Sequence, residues 1–183
     1  MSNLLTKSKY LTALQCPKYL WITFNDKTKI PPTDPATQFV FDQGHEVGAL
    51  AKKLFPNGIN IPYDSFQNSI ARTKGLISQR KPLFEASILA DELYSRIDIL
   101  NPVDRDSWDI IEVKSTTSVK DEHILDAAFQ KYCCEKAGQK IRKCHLMHLN
   151  NEYVRDGELD LNALFLIEDI SDRVKAISHQ IPA

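Results

Sequence analysis

The hydropathy pattern of the chain changes period at Leu83. Leu83 to Ala90, Leu93 to Leu100 and Trp108 to Ser115 alternate apolar and polar side chains. Turn residues separate them, Asp91-Glu92 first and Asn101-Pro102 to Ser107 second. A period of two belongs to a strand that turns one face to a core. Three such strands with short links predict an antiparallel meander. Asp121 to Gly138 then reads as a helix. Its apolar stripe is Leu125, Ala128, Phe129, Tyr132 and Cys133, with a cap at Asp121 and a C′ glycine at Gly138. Ile141 to Leu149 returns to the strand period, with Cys144, Leu146 and His148 on one face. A strand, helix, strand order predicts a crossover that lays this fourth strand parallel to the third.

The flanks are helical. Ser8 to Gln15 reads as a short helix, with Pro17 just beyond it. Lys29 to Thr37 holds three prolines in nine residues and reads as a loop. Ala36 to Phe55 is the next helix, with Phe39, Val40, Val47, Leu50, Ala51 and Leu54 near helical spacing. Pro56, Asn57 and Gly58 stop it, and Asp64 is placed to cap a third helix to about Ser78. Ser171 to about Gln180 predicts a final helix. The 183 residues suit a single domain. Residues 1–80 form its mostly helical N-terminal part, residues 81–150 its core and residues 151–183 a C-terminal extension.

The alternation also places charge. Trp108, Ile110, Glu112 and Lys114 share one face of the third strand, and Ile111 and Val113 take the other. In the second strand Tyr94, Arg96 and Asp98 share a face, with Ile97 and Ile99 opposed. Glu85 is the one charge between Leu83 and Ala90. Three neighbouring strands thus each offer a carboxylate, and Lys114 stands beside them. Gathered carboxylates repel one another and stay ionised only if a cation joins them. Hard oxygen ligands suit Mg²⁺ or Mn²⁺. Lys114 would then orient or deprotonate an attacking water, or neutralise charge building on phosphorus.

Asp98, a short loop and Glu112-Val113-Lys114 resemble the PD-(D/E)xK nuclease signature. Gly44-His45-Glu46 resembles the histidine motif of the RecB-type and CRISPR-associated exonuclease branch, and Glu85 its earlier acidic residue. Gln130-Lys131-Tyr132 resembles that branch's Gln/Tyr motif, although the usual spacing is Gln-x-x-x-Tyr. The opening LTKSKYLTALQCPKYLWI resembles its N-terminal Tyr…Cys-Pro…Trp segment. The resemblance covers roughly Leu5 to Asn150.

It implies a restriction-endonuclease-like mixed central sheet flanked by helices, and metal-dependent hydrolysis of DNA phosphodiesters. The mode would be exonuclease-like or single-strand-acting. Asp98, Glu112 and the Val113 carbonyl would bind Mg²⁺ or Mn²⁺, with His45 a further ligand that favours Mn²⁺. Glu85 would act directly or through metal-bound water, and Lys114 would serve the attacking water. Gln130 and Tyr132 would contact phosphate or hold the lysine. A rim of Lys131, Lys136 and Arg142 would contact the DNA backbone. The tail HLNNEYVRDGELDLNALF is similar to proteins in which such a domain precedes a second one. That leaves open a C-terminal partner domain outside this chain.

Many members of the branch hold a 4Fe–4S cluster on one N-terminal and three C-terminal cysteines. Cys16 matches the first, but Cys133 and Cys134 fall on the central helix and Cys144 in a strand. The expectation is no cluster, only buried small cysteines. Nothing suggests a disulfide framework. The net charge of −1 argues against a protein that coats DNA and says little about one that cuts it. MSNLLTKSKYLTALQC lacks the continuous apolar run of a signal peptide, and no run nears the ~20 residues of a membrane span. A cytoplasmic location is therefore expected. Two other readings use the same residues. One is a catalytically silent nucleic-acid-binding module that retains the fold. The other is a protein-interaction domain whose charges are structural, with Arg96 neutralising Asp98.

Overall fold

The structure is a computed structural model and describes residues 4–181. The strands are β1 (Leu5–Thr6), β2 (Ile59–Asn60), β3 (Leu83–Ala90), β4 (Leu93–Pro102), β5 (Ser107–Val113), β6 (Lys140–Leu149) and β7 (Phe165–Asp169). The helices are α1 (Lys7–Gln15), α2 (Pro17–Asn25), α3 (Pro35–Lys52), α4 (Phe66–Leu76), α5 (Asp121–Lys136), α6 (Leu161–Leu164) and α7 (Ser171–Ile177).

The strands form one mixed sheet in the order β2-β3-β4-β5-β6-β7. The meander β3-β4-β5 is antiparallel and β6 runs parallel to β5 through the α5 crossover, both as expected. β7 closes the other edge antiparallel to β6. Its sequence FLIED does not alternate, and only Phe165 is buried, so the period gave no sign of it. β1 pairs parallel with β4 through Leu5↔Leu93 and Thr6↔Tyr94. β5 pairs with β4 only from Ile99 to Pro102. The stretch of β4 between Tyr94 and Ile99 therefore pairs with neither β1 nor β5, and Asp98 lies in it.

Apolar cores fill both faces. The larger gathers Leu83, Ala86, Ile97, Leu100, Trp108, Ile110 and Leu146 with Tyr10 of α1, Phe129 of α5 and Val174 of α7. The smaller gathers Phe84, Ile99, Ile111, Met147 and Phe165 with Val47 and Ala51 of α3. Ile97 and Ile99 thus lie on opposite faces, contrary to strict alternation. The reversal occurs in both strands at once, between the pairs Phe84↔Ile99 and Ala86↔Ile97. Glu85 and Asp98 are the residues in between, and Glu85 has a φ of +59°. A left-handed backbone at a glutamate costs ~1–3 kcal/mol and persists where the surroundings impose it.

Local chemistry explains the helix ends. Thr6 caps α1 by accepting from the Lys9 N–H. Directly after α1 ends, Cys16 Sγ accepts from the Tyr19 N–H and Pro17 takes the first position of α2. Pro17 therefore starts a helix rather than merely following one. Ser65, not Asp64, caps α4, while Asp64 pairs with Arg72 at 3.0 Å. Asp121 is inside the first turn of α5, and Lys120 holds the cap position, its N–H donating to His123 Nδ1 at 3.2 Å. Gly138 follows α5 with a φ of +82°, the conformation that favours glycine there. Among the described residues, no helix is long and apolar enough to cross a membrane.

Candidate active site

β5 diverges from β4 after Ile111, which leaves the Val113 N–H without a β4 carbonyl. Asp98 Oδ2 accepts that N–H at 2.9 Å, so the carboxylate stands in for the missing ladder bond. Glu112 points to the opposite face from Val113 and is fully buried. Lys114 is the next residue on the Glu112 side. Its Nζ donates to Glu112 Oε1 at 2.5 Å and to Asp126 Oδ2 at 2.8 Å.

The centre closes through α1 and α5. Lys7, the first residue of α1, donates to Glu112 Oε1 at 3.1 Å and lies 3.1 Å from Asp126 Oδ1. Gln130 Nε2 donates to Asp126 Oδ1 at 2.8 Å and also to Glu112 Oε2. Two ammonium groups thus alternate with two carboxylates, and one amide bridges the carboxylates from behind. Gln130 Oε1 is buried without a partner. Buried charges are tolerated when paired and hydrogen-bonded in this way.

Lys7, Asp98, Glu112, Val113 and Lys114 open onto a cleft of about 450 Å³. α3 supplies its other wall through Gly44, His45, Gly48 and Lys52. Glu85 lies at the same cleft, where Lys52 Nζ meets its Oε1 at 2.7 Å and Arg96 Nε approaches Oε2 at 3.3 Å. Arg96 therefore neutralises Glu85 rather than Asp98. His45 lines the cleft from an exposed position on α3.

The expected rim sits elsewhere. Lys131 pairs with Glu135 at 3.7 Å, and Lys136 lies 5.7 Å over the Tyr132 ring. Tyr132 packs against the larger core, two residues and about 200° around α5 from Gln130. Arg142 forks onto Asp109 at 3.0 and 2.6 Å. None of these four lines the cleft. Cys133, Cys134 and Cys144 are buried in the larger core, and burial raises the Cys133 and Cys144 thiols to about 12.

Lys7 and Asp126 are the site residues that sequence reasoning missed. Asp126 carried a signal, since a mid-helix aspartate four residues before Gln130 shares its face. Lys7 carried none, because its place depends on β1 docking beside β4.

The electrostatics are uneven. Burial and the Glu112 charge raise Asp98 to about 7, against the pull of Lys7, the Val113 N–H and Lys114. Burial opposes the ionised form of Glu112 too, but Lys7 and Lys114 outweigh it and hold that carboxyl below its usual range. Asp126 is raised by burial and by Glu112. Burial disfavours both ammonium groups, yet Glu112 and Asp126 keep each above the usual lysine range.

Among the described residues, no group of three or more His, Cys, Asp or Glu side chains stands ready to hold an ion. The carboxylates lining the cleft are Glu85, Asp98 and Glu112, with His45 beside them, and Glu85 is already paired with Lys52 and Arg96. An ion there would need water, a main-chain carbonyl or a substrate oxygen to complete its shell. Mg²⁺ commonly keeps such a partly aqueous shell.

No family model matches the chain, and no curated protein matches it. Among solved structures, it is similar to the crystal structure of SSO0001 at 10% identity, covering 100% of this chain and 78% of that one. The TM-score is 0.35.

Proposed function

We propose that the chain is a metal-dependent phosphodiesterase acting on DNA, built on a restriction-endonuclease-like fold. The observation that carries this reading is the convergence of Asp98, Glu112 and Lys114 on one cleft, where β5 separates from β4. Asp98 and Glu112 are the carboxylates that would hold Mg²⁺ or Mn²⁺, with the Val113 carbonyl and His45 as candidate further ligands. Such an ion supplies Lewis-acid polarisation of a phosphoryl oxygen and lowers the pKa of bound water.

The chain's own residues do the rest. Lys114 orients the attacking water and neutralises negative charge on the phosphoryl group. Gln130 and Asp126 hold Glu112 and Lys114 in place, which makes Gln130 a positioning residue rather than a phosphate contact. Glu85 and Lys52 form a separate charged wall of the cleft, with Arg96 paired to Glu85. End-labelled single- and double-stranded DNA, incubated with Mn²⁺, Mg²⁺ or EDTA, tests the reading. The product ladder separates an exonuclease from an endonuclease.

A second reading is favoured by one observation: Lys7 and Lys114 already occupy Glu112 Oε1. On that reading the charges are structural, in a silent nucleic-acid-binding or interaction module. Divalent ions would then leave the melting temperature unchanged, whereas an ion bound only by the native state must raise it.

A further inference from the structure

Lys7 occupies a position that the metal-dependent reading assigns to no side chain. Its ammonium sits between Glu112 Oε1 and Asp126 Oδ1, each at 3.1 Å. It also lines the cleft beside Asp98. Glu112 Oε1 is shared by two ammonium groups, Lys7 and Lys114. A divalent ion at the same oxygen would face both, and like charges that close repel strongly in a poorly hydrated site.

The surrounding contacts show which lysine is free to leave. Lys114 is fixed by short contacts to both Glu112 and Asp126. Asp126 keeps Gln130 on one oxygen and Lys114 on the other if Lys7 withdraws. Glu112 keeps Gln130 and Lys114. Both lysines line the cleft, so contact length and not exposure separates them: Lys7 stands 3.1 Å from each carboxylate, Lys114 2.5 and 2.8 Å. Lys7 can withdraw without stripping either carboxylate of its other partners.

We propose that Lys7 is an exchangeable internal cation. It neutralises Glu112 and Asp126 in the metal-free protein and leaves Glu112 when a divalent ion binds. This inference rests on the metal-dependent reading of the same cleft. It adds a residue that sets metal affinity from outside the ligand set, by competing for one ligand oxygen. The exchange keeps the buried carboxylates compensated at every stage, so the site needs no metal to fold. Lys7 is a positioning residue here, acting through Glu112.

Two measurements test it on the full chain. The first is calorimetric titration with Mn²⁺ of the wild type, Lys7→Met and Lys7→Arg. Lys7→Met is expected to bind ~10-fold more tightly, within the usual range of coupling between two sites. Lys7→Arg keeps the competing charge and is expected to bind no more tightly than wild type. The second needs no variant. Lysines of the wild type are acylated with a small reagent, with and without Mn²⁺, and read residue by residue by mass spectrometry. Lys7 is expected to become several-fold more reactive with Mn²⁺, while exposed Lys18 stays constant.

Mn²⁺ binding with unchanged or lower Lys7 reactivity overturns the proposal and leaves the metal site standing. Unchanged or weaker binding by a folded Lys7→Met does the same. A folded wild type that binds no Mn²⁺ overturns the metal-dependent reading and this inference together. If Lys7→Met does not fold, the labelling result decides alone.

Discussion

Lys114 Nζ donates to Glu112 Oε1 at 2.5 Å, although the two residues are only two apart on the same side of one strand edge. Neighbours on a strand face usually run side by side into solvent or core. Here the ammonium folds back, because Asp126 on α5 holds it at 2.8 Å from the other side. Glu112→Ala should therefore do more than remove a proposed metal ligand, since it leaves two lysines sharing Asp126 alone. Breaking a buried pair costs ~3–5 kcal/mol, and the partial exposure of both lysines puts the expected loss near the lower end. Urea denaturation reads this directly, and a loss under ~1 kcal/mol would show that the network is not cohesive.

Gln130 makes a separate prediction. Its amide bridges Glu112 and Asp126 from the closed side of the site, where water has no access. Gln130→Met keeps the length and removes the donor. The variant should lose ~2 kcal/mol of stability, the cost of leaving buried acceptors unsatisfied. Cleavage should fall with it, through misplacement of Glu112 and Lys114. Full activity in a destabilised Gln130→Met would separate the bridge from the chemistry.

The pH dependence follows from Asp98 and Glu112, and their signs differ. The Asp98 carboxyl titrates near 7 in the folded chain against an ordinary 3.8, so the native state keeps a proton that the unfolded chain releases. Between those two values its contribution to stability is present at the acid end and is lost as pH rises. Glu112 is depressed below its ordinary 4.5, so its contribution is present above that value and is lost as pH falls. An ion that needs ionised Asp98 must displace its proton. Mn²⁺ affinity should rise up to about pH 7 and level off above it. Calorimetry in buffers of different ionisation enthalpy would show the released proton, and Asp98→Asn should abolish both the release and the slope.

Much of this was readable from sequence, and the failures have physical causes. The meander, the α5 crossover and the shared side of Glu112 and Lys114 followed from period and turn chemistry. Ile97 and Ile99 were misassigned because β3 and β4 reverse their alternation together at Glu85 and Asp98, and no local pattern signals that. α2 was missed because Pro17 reads equally as a stop or a start, and Cys16 is a less common cap than serine. Lys131, Lys136 and Arg142 were grouped as a rim by sequence proximity and Tyr132 was singled out by its likeness to the Gln/Tyr motif, but none of the four lines the cleft. Lys7 was invisible because two residues of β1 fix its position from across the sheet.

Gly138 offers a test of the fold apart from the site. Its φ of +82° ends α5 and starts the turn into β6. Gly138→Ala should cost ~1 kcal/mol. Thermal or urea denaturation checks this, and Mn²⁺ affinity should not change.

On the proposed function, Glu112 and Lys114 form a hydrolytic pair that needs a divalent ion. The most direct measurement is single-turnover cleavage of end-labelled DNA by wild type and Lys114→Met in Mn²⁺, with EDTA as control. Cutting by wild type that EDTA abolishes is expected, with a loss of at least ~100-fold in Lys114→Met, the scale of a group acting on the transition state. Cutting that survives EDTA, or that Lys114→Met retains in full, would contradict the proposed function.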